Sequence, residues 1–352
     1  MSTTPPKGAF MRDVVEQPGA IEATLDGLVG DAALLDRLGR LRQRRGAFVL
    51  TGMGSSLAAL YPTHLRLLAA GLPAVLVEAG ELLHYAAEGL GEDTVVVMVS
   101  QSGESVEIVR LLERIDRKVT VLGVTNEAGS TLAGRAELRL MLRAGVEGIV
   151  ATKTYVATLA ALSVLVGVVT GQLEAELARV RRAVAALREL IGRREAVGRT
   201  LVGTLGGRPR HLWMIARGPS MASAQAGSLI LKEASHTSAE ALTGGQFRHG
   251  PLEMVGSGHR ALLFSPAGPT APLVRRLADD IAGYRGKVVL VGPADRGLPG
   301  ADLPLVETEP VDDAAAPLVE IVAAELLAQA VAEARGHEPG VFRRMGKVTR
   351  EE

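Results

Sequence analysis

The feature that most restricts the fold of this chain is a series of short apolar runs, each followed by a longer amphipathic stretch, that occurs once and then again. In the first series the runs are 47–51, 74–78, 94–100, 119–125 and 138–142, each nearly unbroken in apolar residues. A strand apolar on successive residues has to be covered on both faces, the condition of a parallel sheet between two helix layers. The intervening stretches suit those layers: 106–117 places Val106, Ile108, Val109, Leu112 and Ile115 at helical spacing, and 57–70 closes on Gly71. The run 155–169 is interrupted only by Thr158 and Ser163. It is shorter than the roughly 20 residues of a membrane span and reads as a helix buried on all sides. The stretch 173–199 sets Leu177, Val180, Val184, Leu187 and Ile191 against Arg181, Arg182, Arg188 and Arg193, and reads as a connecting helix.

The second series runs through 212–216, 261–265, 288–292 and 303–306. Its turns repeat those of the first: Thr51-Gly52-Met53-Gly54-Ser55-Ser56-Leu57 has its likeness in Ala216-Arg217-Gly218-Pro219-Ser220-Met221. An internal repeat on this scale implies two similar domains. The expectation is an α/β chain of two tandem domains, each a five-stranded parallel sheet sandwiched between helices in a flavodoxin-like three-layer arrangement. Their boundaries are a helical segment at 1–45, a first domain at 46–172, a connecting helix at 173–207, a second domain at 208–335 and a tail at 336–352.

Composition excludes several kinds of function. The 352 residues carry 39 Lys plus Arg against 39 Asp plus Glu, so the basic surplus that nucleic-acid binding needs is missing. There is no cysteine, which removes disulfides, thiolate metal sites and cysteine nucleophiles together. His64, His84, His211, His236, His249, His259 and His337 are scattered with no pair at ligand spacing, so no metal is expected. No Walker A sequence occurs, and Leu57 stands where a dinucleotide fingerprint needs glycine, so no cofactor is expected. Neither serine turn has the Gly-x-Ser-x-Gly form of a nucleophile elbow. The N-terminal residues show no charged segment followed by an apolar one, and a cytoplasmic location away from membranes is expected.

One loop remains as a candidate site. Ser100-Gln101-Ser102-Gly103-Glu104-Ser105 joins an apolar strand to an amphipathic helix, where free N–H groups and the helix dipole favour an anion. An isolated serine there would be a helix cap. Three hydroxyls and a glutamine within six residues, at the carboxyl end of a parallel strand, point instead to a phosphate cradle. The Gly54-Ser55-Ser56 turn follows another strand and could close the same site. The second series has Ser265-Pro266-Ala267-Gly268-Pro269-Thr270 at the corresponding place, so only the first keeps its hydroxyls and free amides.

With these motifs the chain resembles the two-domain SIS (sugar isomerase) proteins, most of all the isomerase half of glucosamine-6-phosphate synthase and the related glucosamine-6-phosphate deaminases. The likeness runs from Glu16-Gln17-Pro18-Gly19-Ala20-Ile21 through Gly54-Ser55-Ser56, the Ser100 to Ser105 loop, Ala151-Thr152-Lys153-Thr154-Tyr155, Leu231-Lys232-Glu233 and Phe247-Arg248-His249-Gly250-Pro251-Leu252 to Lys347-Val348-Thr349. The resemblance implies that Ser100, Gln101, Ser102 and Ser105 grip a sugar phosphate, joined by Ser55, Ser56 and Thr152. It implies that Glu233 moves a proton between C1 and C2 of the open-chain sugar. His249 would open the ring in the site of a neighbouring subunit of a homodimer, and the tail would bring Lys347 to the site. Aldose–ketose interconversion needs only such acid and base groups.

Three departures separate the chain from that pattern. Ile230 and Ala226 stand where the relatives carry a lysine and an acid on the helix face of the catalytic glutamate. Residues 145–152 form a segment one residue short, and Lys347 is displaced by one from the lysine thought to form a Schiff base. The glutaminase nucleophile of the synthase is a cysteine, so no glutaminase activity is expected of this chain. The expected function is therefore ring opening and isomerisation of a hexose or aminohexose phosphate. An amino substrate would add hydrolysis of an imine to release ammonia. The alternatives are a plain aldose–ketose isomerase and a non-catalytic sugar-phosphate sensor.

Overall fold

The computed structural model describes residues 6, 8–43, 46–344 and 346–349. The chain divides into two compact units, each assembled from separate stretches of sequence. The first unit comprises Glu16–Glu147, Ala151–Val180 and Arg343–Glu352; the second comprises Met1–Val15, Gly148–Val150 and Arg181–Phe342.

In the first unit β1 (Phe48–Gly52), β2 (Ala74–Glu78), β3 (Val95–Val99), β4 (Thr120–Thr125) and β5 (Leu138–Met141) form one parallel sheet in the order β2-β1-β3-β4-β5. The three central strands are buried along their whole length, which explains their unbroken apolar sequence. One face carries Val49, Val96, Met98 and Val121 against Ile108, Leu111 and Leu112 of the Val106–Arg114 helix. The Gly54–Ala69 and Lys153–Thr170 helices cover the sheet as well. Lys153–Thr170 has the length and mean hydropathy of a membrane span, but 83% of it is buried inside the protein, as expected of a core helix.

The second unit repeats the winding. Strands β6 (His211–Ala216), β7 (Ser238–Thr243), β8 (Arg260–Phe264), β9 (Lys287–Gly292) and β10 (Leu305–Glu307) are parallel, in the order β7-β6-β8-β9-β10. Trp213, Ile215, Leu263 and Leu290 pack under Val274, Leu277 and Ile281 of the Ala271–Gly283 helix. The sequence patterns located four of these strands and passed over β7. It lies at the sheet edge with Ser238 and Glu240 exposed on either side of buried Ala239, so its sequence lacks the continuous apolar signal of a central strand. The expected connecting helix is two helices, Leu173–Gly192 and Arg194–Leu205, with the break at Arg193.

In both sheets the order turns back between the first strand and the third. Connections leave in opposite directions at that point and open a crevice beyond the carboxyl ends of the strands, where sheets of this winding bind ligands. The crevice of the first unit lies between the ends of β1 and β3, and that of the second between the ends of β6 and β8.

Candidate functional site

The Ser100–Ser105 loop leaves β3 at the crevice of the first unit. Ser100 extends the sheet by donating its N–H to the Val124 carbonyl at 3.1 Å. The chain then doubles back, and Gly103 donates its N–H to the Ser100 hydroxyl at 3.1 Å. Gly103 has φ +64°, and a Cβ there would lie 2.2 Å from Ser130 Oγ, so both the backbone and the space require glycine. Ser102 Oγ accepts from the Glu104 N–H at 3.2 Å. The residue at the helix N-cap is Ser105, with extended backbone and no capping bond from its side chain; its hydroxyl lies 3.5 Å from that of Ser100. The Gln101 carbonyl is fixed by the Asn126 N–H at 3.0 Å and the Thr125 hydroxyl at 3.1 Å, while its amide side chain is half-buried with no hydrogen bond to a described residue. The hydroxyls of Ser100 and Ser102 thus help to hold the loop as acceptors and keep their protons for a further partner, beside the Gln101 amide.

The register of the sheet pairs Gly52 with Val99, which sets the Ser55–Ser56 turn beside this loop. Ser55 is buried and its hydroxyl has no hydrogen-bond partner; Ser56 is half-buried.

A second cluster in the first unit centres on Glu147, which the sequence patterns did not single out. Its carboxylate accepts from the backbone N–H of Thr152 at 2.9 Å, that of Thr154 at 2.8 Å, and the Thr154 hydroxyl at 2.7 Å. These bonds cap the Lys153–Thr170 helix with a charged acceptor. Burial pushes the Glu147 carboxyl above the ordinary range, opposed by the bonds from Thr154 and Thr152 and by the Lys347 ammonium. Thr152 is fully buried, and its hydroxyl faces Glu147 at 3.4 Å. Lys347 donates from Nζ to the Glu147 carbonyl at 2.6 Å. Two residues on, the Thr349 carbonyl accepts the N–H of Val106, the first residue of the helix behind the Ser100–Ser105 loop, at 3.1 Å. Lys153 pairs with Glu16 at 2.5 Å, which brings together two of the motifs that the sequence holds far apart.

The second unit carries the other two candidates. Glu233 lies in the last turns of the Met221–Ser235 helix, half-buried, with no hydrogen bond to a described residue. Burial pushes its pKa up to about 7, and the neighbouring Lys232 pulls it down. Ala226 and Ile230 on the same helix are fully buried, so the positions where polar groups would be expected belong to the core here. His249 is exposed at the end of the Gly244–Arg248 helix. That short helix is held at its start by a capping box in which Thr243 and Gln246 satisfy each other's backbone N–H groups. Among the described residues no group of three or more His, Asp or Glu side chains could hold a metal ion.

These two windings and the serine-rich loop define a class of two-domain, doubly wound α/β proteins, and the comparisons give its name. The profile of the SIS domain matches residues 41–167 and 208–291, and the chain belongs to the SIS domain family. A glutamine–fructose-6-phosphate aminotransferase of Aeropyrum pernix is 32% identical over 355 residues, covering 96% of this chain and 56% of the relative; the chain spans little more than half the length of such curated relatives. The C-terminal domain of the glucosamine-fructose-6-phosphate aminotransferase from Francisella tularensis superposes with a TM-score of 0.86 at 22% identity, over 96% of this chain and 98% of that one. A glucosamine-6-phosphate deaminase from Thermotoga maritima gives 0.78 at 19% identity, over 97% and 99%. These two likenesses establish a shared fold.

Proposed function

We propose that this chain is an isomerase of phosphorylated sugars that opens a hexose or aminohexose phosphate and moves a proton between C1 and C2. The observation that carries this reading is the Ser100–Ser105 loop, which turns on Gly103 at the first unit's crevice and sets the Ser100, Ser102 and Ser105 hydroxyls beside a Gln101 amide that has no partner among the described residues. In this reading Ser100, Gln101, Ser102 and Ser105 hold the phosphate with Ser55 and Ser56. Thr152 acts through the Glu147 cluster.

Glu233 is the proton carrier. A carboxyl held near 7 by burial can take a proton from carbon and return it next door at neutral pH. His249, exposed and on a short capped helix, is the ring-opening group, and we assign it to the site of a second copy in a homodimer. Lys347 is the candidate amine for a ketose carbonyl; its bond to the Glu147 carbonyl has to break and its proton has to leave before it can attack.

With glucosamine 6-phosphate the same proton shift gives a 2-imine. Water adds to it and ammonia leaves, so that the sugar becomes fructose 6-phosphate. The relationship to proteins described as aminotransferases and deaminases of these sugars supports that finer reading. The apolar, buried Ala226 and Ile230 beside Glu233 support a plain isomerase.

The test is to incubate the purified protein in D2O with fructose 6-phosphate, glucose 6-phosphate and glucosamine 6-phosphate, following exchange at C1 of the ketose and C2 of the aldoses by NMR and ammonia by a coupled assay. Turnover of any of these should fall at least about 100-fold in Glu233→Gln, while the ligand-induced rise in melting temperature persists. Exchange without ammonia selects the plain isomerase. Unchanged turnover in Glu233→Gln overturns the assignment of the base, and a rise in melting temperature without exchange in the wild type selects the sensor.

A further inference from the structure

The second unit has the same winding as the first, and its crevice should open at the same place, between the ends of β6 and β8. The counterpart loop starts in the same way: Ser265 donates its N–H to the Val291 carbonyl at 2.8 Å, as Ser100 does to Val124. From there the two loops part. Pro266 and Pro269 remove two of the N–H donors that an anion would use. Beside this loop, at the ends of β8, β9 and β10, the space that Glu320 shares with Pro266, Ala267, Gly292, Thr308 and Val319 is about 10 Å³, at or below what one water molecule needs.

What fills the crevice is a side chain of the unit itself. Glu320, in the first turn of the Pro317–Arg335 helix, is 3% exposed and points its carboxyl at the start of the Met221–Ser235 helix. Ser223 Oγ donates to Glu320 Oε1 at 3.1 Å. The Ser265 hydroxyl is buried and has no hydrogen-bond partner among the described residues. Burial pushes Glu320 up to about 7 against the hydroxyls of Ser220 and Ser223, and the nearby Asp313 carboxylate adds to the rise. The surroundings of Glu320 therefore suit a hydrogen-bonded carboxyl group.

We propose that the carboxyl of Glu320 plugs the second unit's counterpart of the phosphate crevice, so that each chain offers a sugar phosphate one site and not two. The count of sites rests on the function proposed above; the plug itself does not.

Two measurements test it. Equilibrium dialysis of the wild type with fructose 6-phosphate should saturate at one equivalent per chain, and saturation at two overturns the inference. The second measurement needs no sugar phosphate, so it stands if the proposed function fails. Glu320→Ala should leave a hole of carboxylate shape, and acetate or formate should raise its melting temperature by about 2 °C or more over equal chloride. The wild type and Glu320→Gln, whose amide still fills the space, should show no such difference. If Glu320→Ala does not fold in chloride, its refolding yield in acetate against chloride reads the same rescue. Absence of an acetate- or formate-specific effect on Glu320→Ala, or an equal effect on the wild type, overturns the plug.

Discussion

The two units are built on one winding and differ most at one point of it. In the first, the loop after the third strand presents three serine hydroxyls and turns on Gly103; in the second, it carries two prolines, and the unit's own Glu320 occupies the space behind it. The sheets themselves are interchangeable in plan. A repeated fold therefore does not repeat its ligand site. Once one crevice is filled from within, the second unit's helix and loop ends are free for other groups, and it is this unit that carries Glu233 and His249.

The largest contrast should appear in ligand binding and turnover. Ser100→Ala with Ser102→Ala removes hydroxyls from the open crevice, each worth roughly 1.5–3 kcal/mol to a charged partner. Sugar-phosphate turnover at limiting substrate should fall by about two orders of magnitude or more, while Ser220→Ala with Ser265→Ala leaves it within about twofold. Equal losses in the two pairs would erase the distinction between the units. Next in size are the two buried carboxyls. Glu147→Gln sets an amide against two backbone N–H donors and should cost about 3 kcal/mol in urea unfolding. Glu320→Gln faces hydroxyls, which can turn to suit an amide, and should cost about 1 kcal/mol.

Between these two in size is the effect of the glycine that turns the first loop. Gly103→Ala strains a left-handed backbone and meets Ser130, so about 2 kcal/mol of stability should be lost together with ligand binding. Gly268→Ala meets only the Asp313 side chain, at 3.1 Å, and a melting curve close to that of the wild type is expected. The most gradual effect is the dependence of stability on pH. Glu320 binds its proton more tightly folded than unfolded, so its contribution is complete below pH 4.5 and is lost as pH rises through about 7. His259, stacked on Trp213, is held down to about 4 by burial, with the nearby His211 and Arg260 adding to the shift. Its contribution is complete above pH 6.5 and is lost as pH falls towards 4. Denaturation series across this range should show the alkaline decline shrink in Glu320→Gln and the acid decline shrink in His259→Phe, each slope being at most about 1.4 kcal/mol per pH unit.

Central strands and core helices were legible because burial on both faces leaves an unbroken apolar run, as in Val95–Val99 or Lys153–Thr170. The edge strand Ser238–Thr243 was not, since half of its side chains are wet. The serine-rich loop could be singled out from local chemistry: three hydroxyls and a glutamine stand within six residues at one strand end. Glu147 and Glu320 could not. Their meaning lies in which backbone N–H or hydroxyl they meet after folding, and a lone glutamate in a loop or a helix carries no mark of that. Lys347 had a visible candidacy but an invisible partner, because the carbonyl it reaches lies in a segment whose sequence specifies nothing about it.

The discontinuity of the first unit bears on how the protein comes into being. The Ser100–Ser105 loop and its helix leave the ribosome early, yet the carbonyl that accepts the Val106 N–H belongs to Thr349, and the whole of the sheet β6–β10 is translated in between. During synthesis the first sheet can form while the strap behind its loop is still missing, so docking of residues 347–349 is a late event with high contact order. A nascent chain stalled before this point, or a molecule clipped just ahead of it, would keep its five strands and lack the finishing bond at the base of the loop.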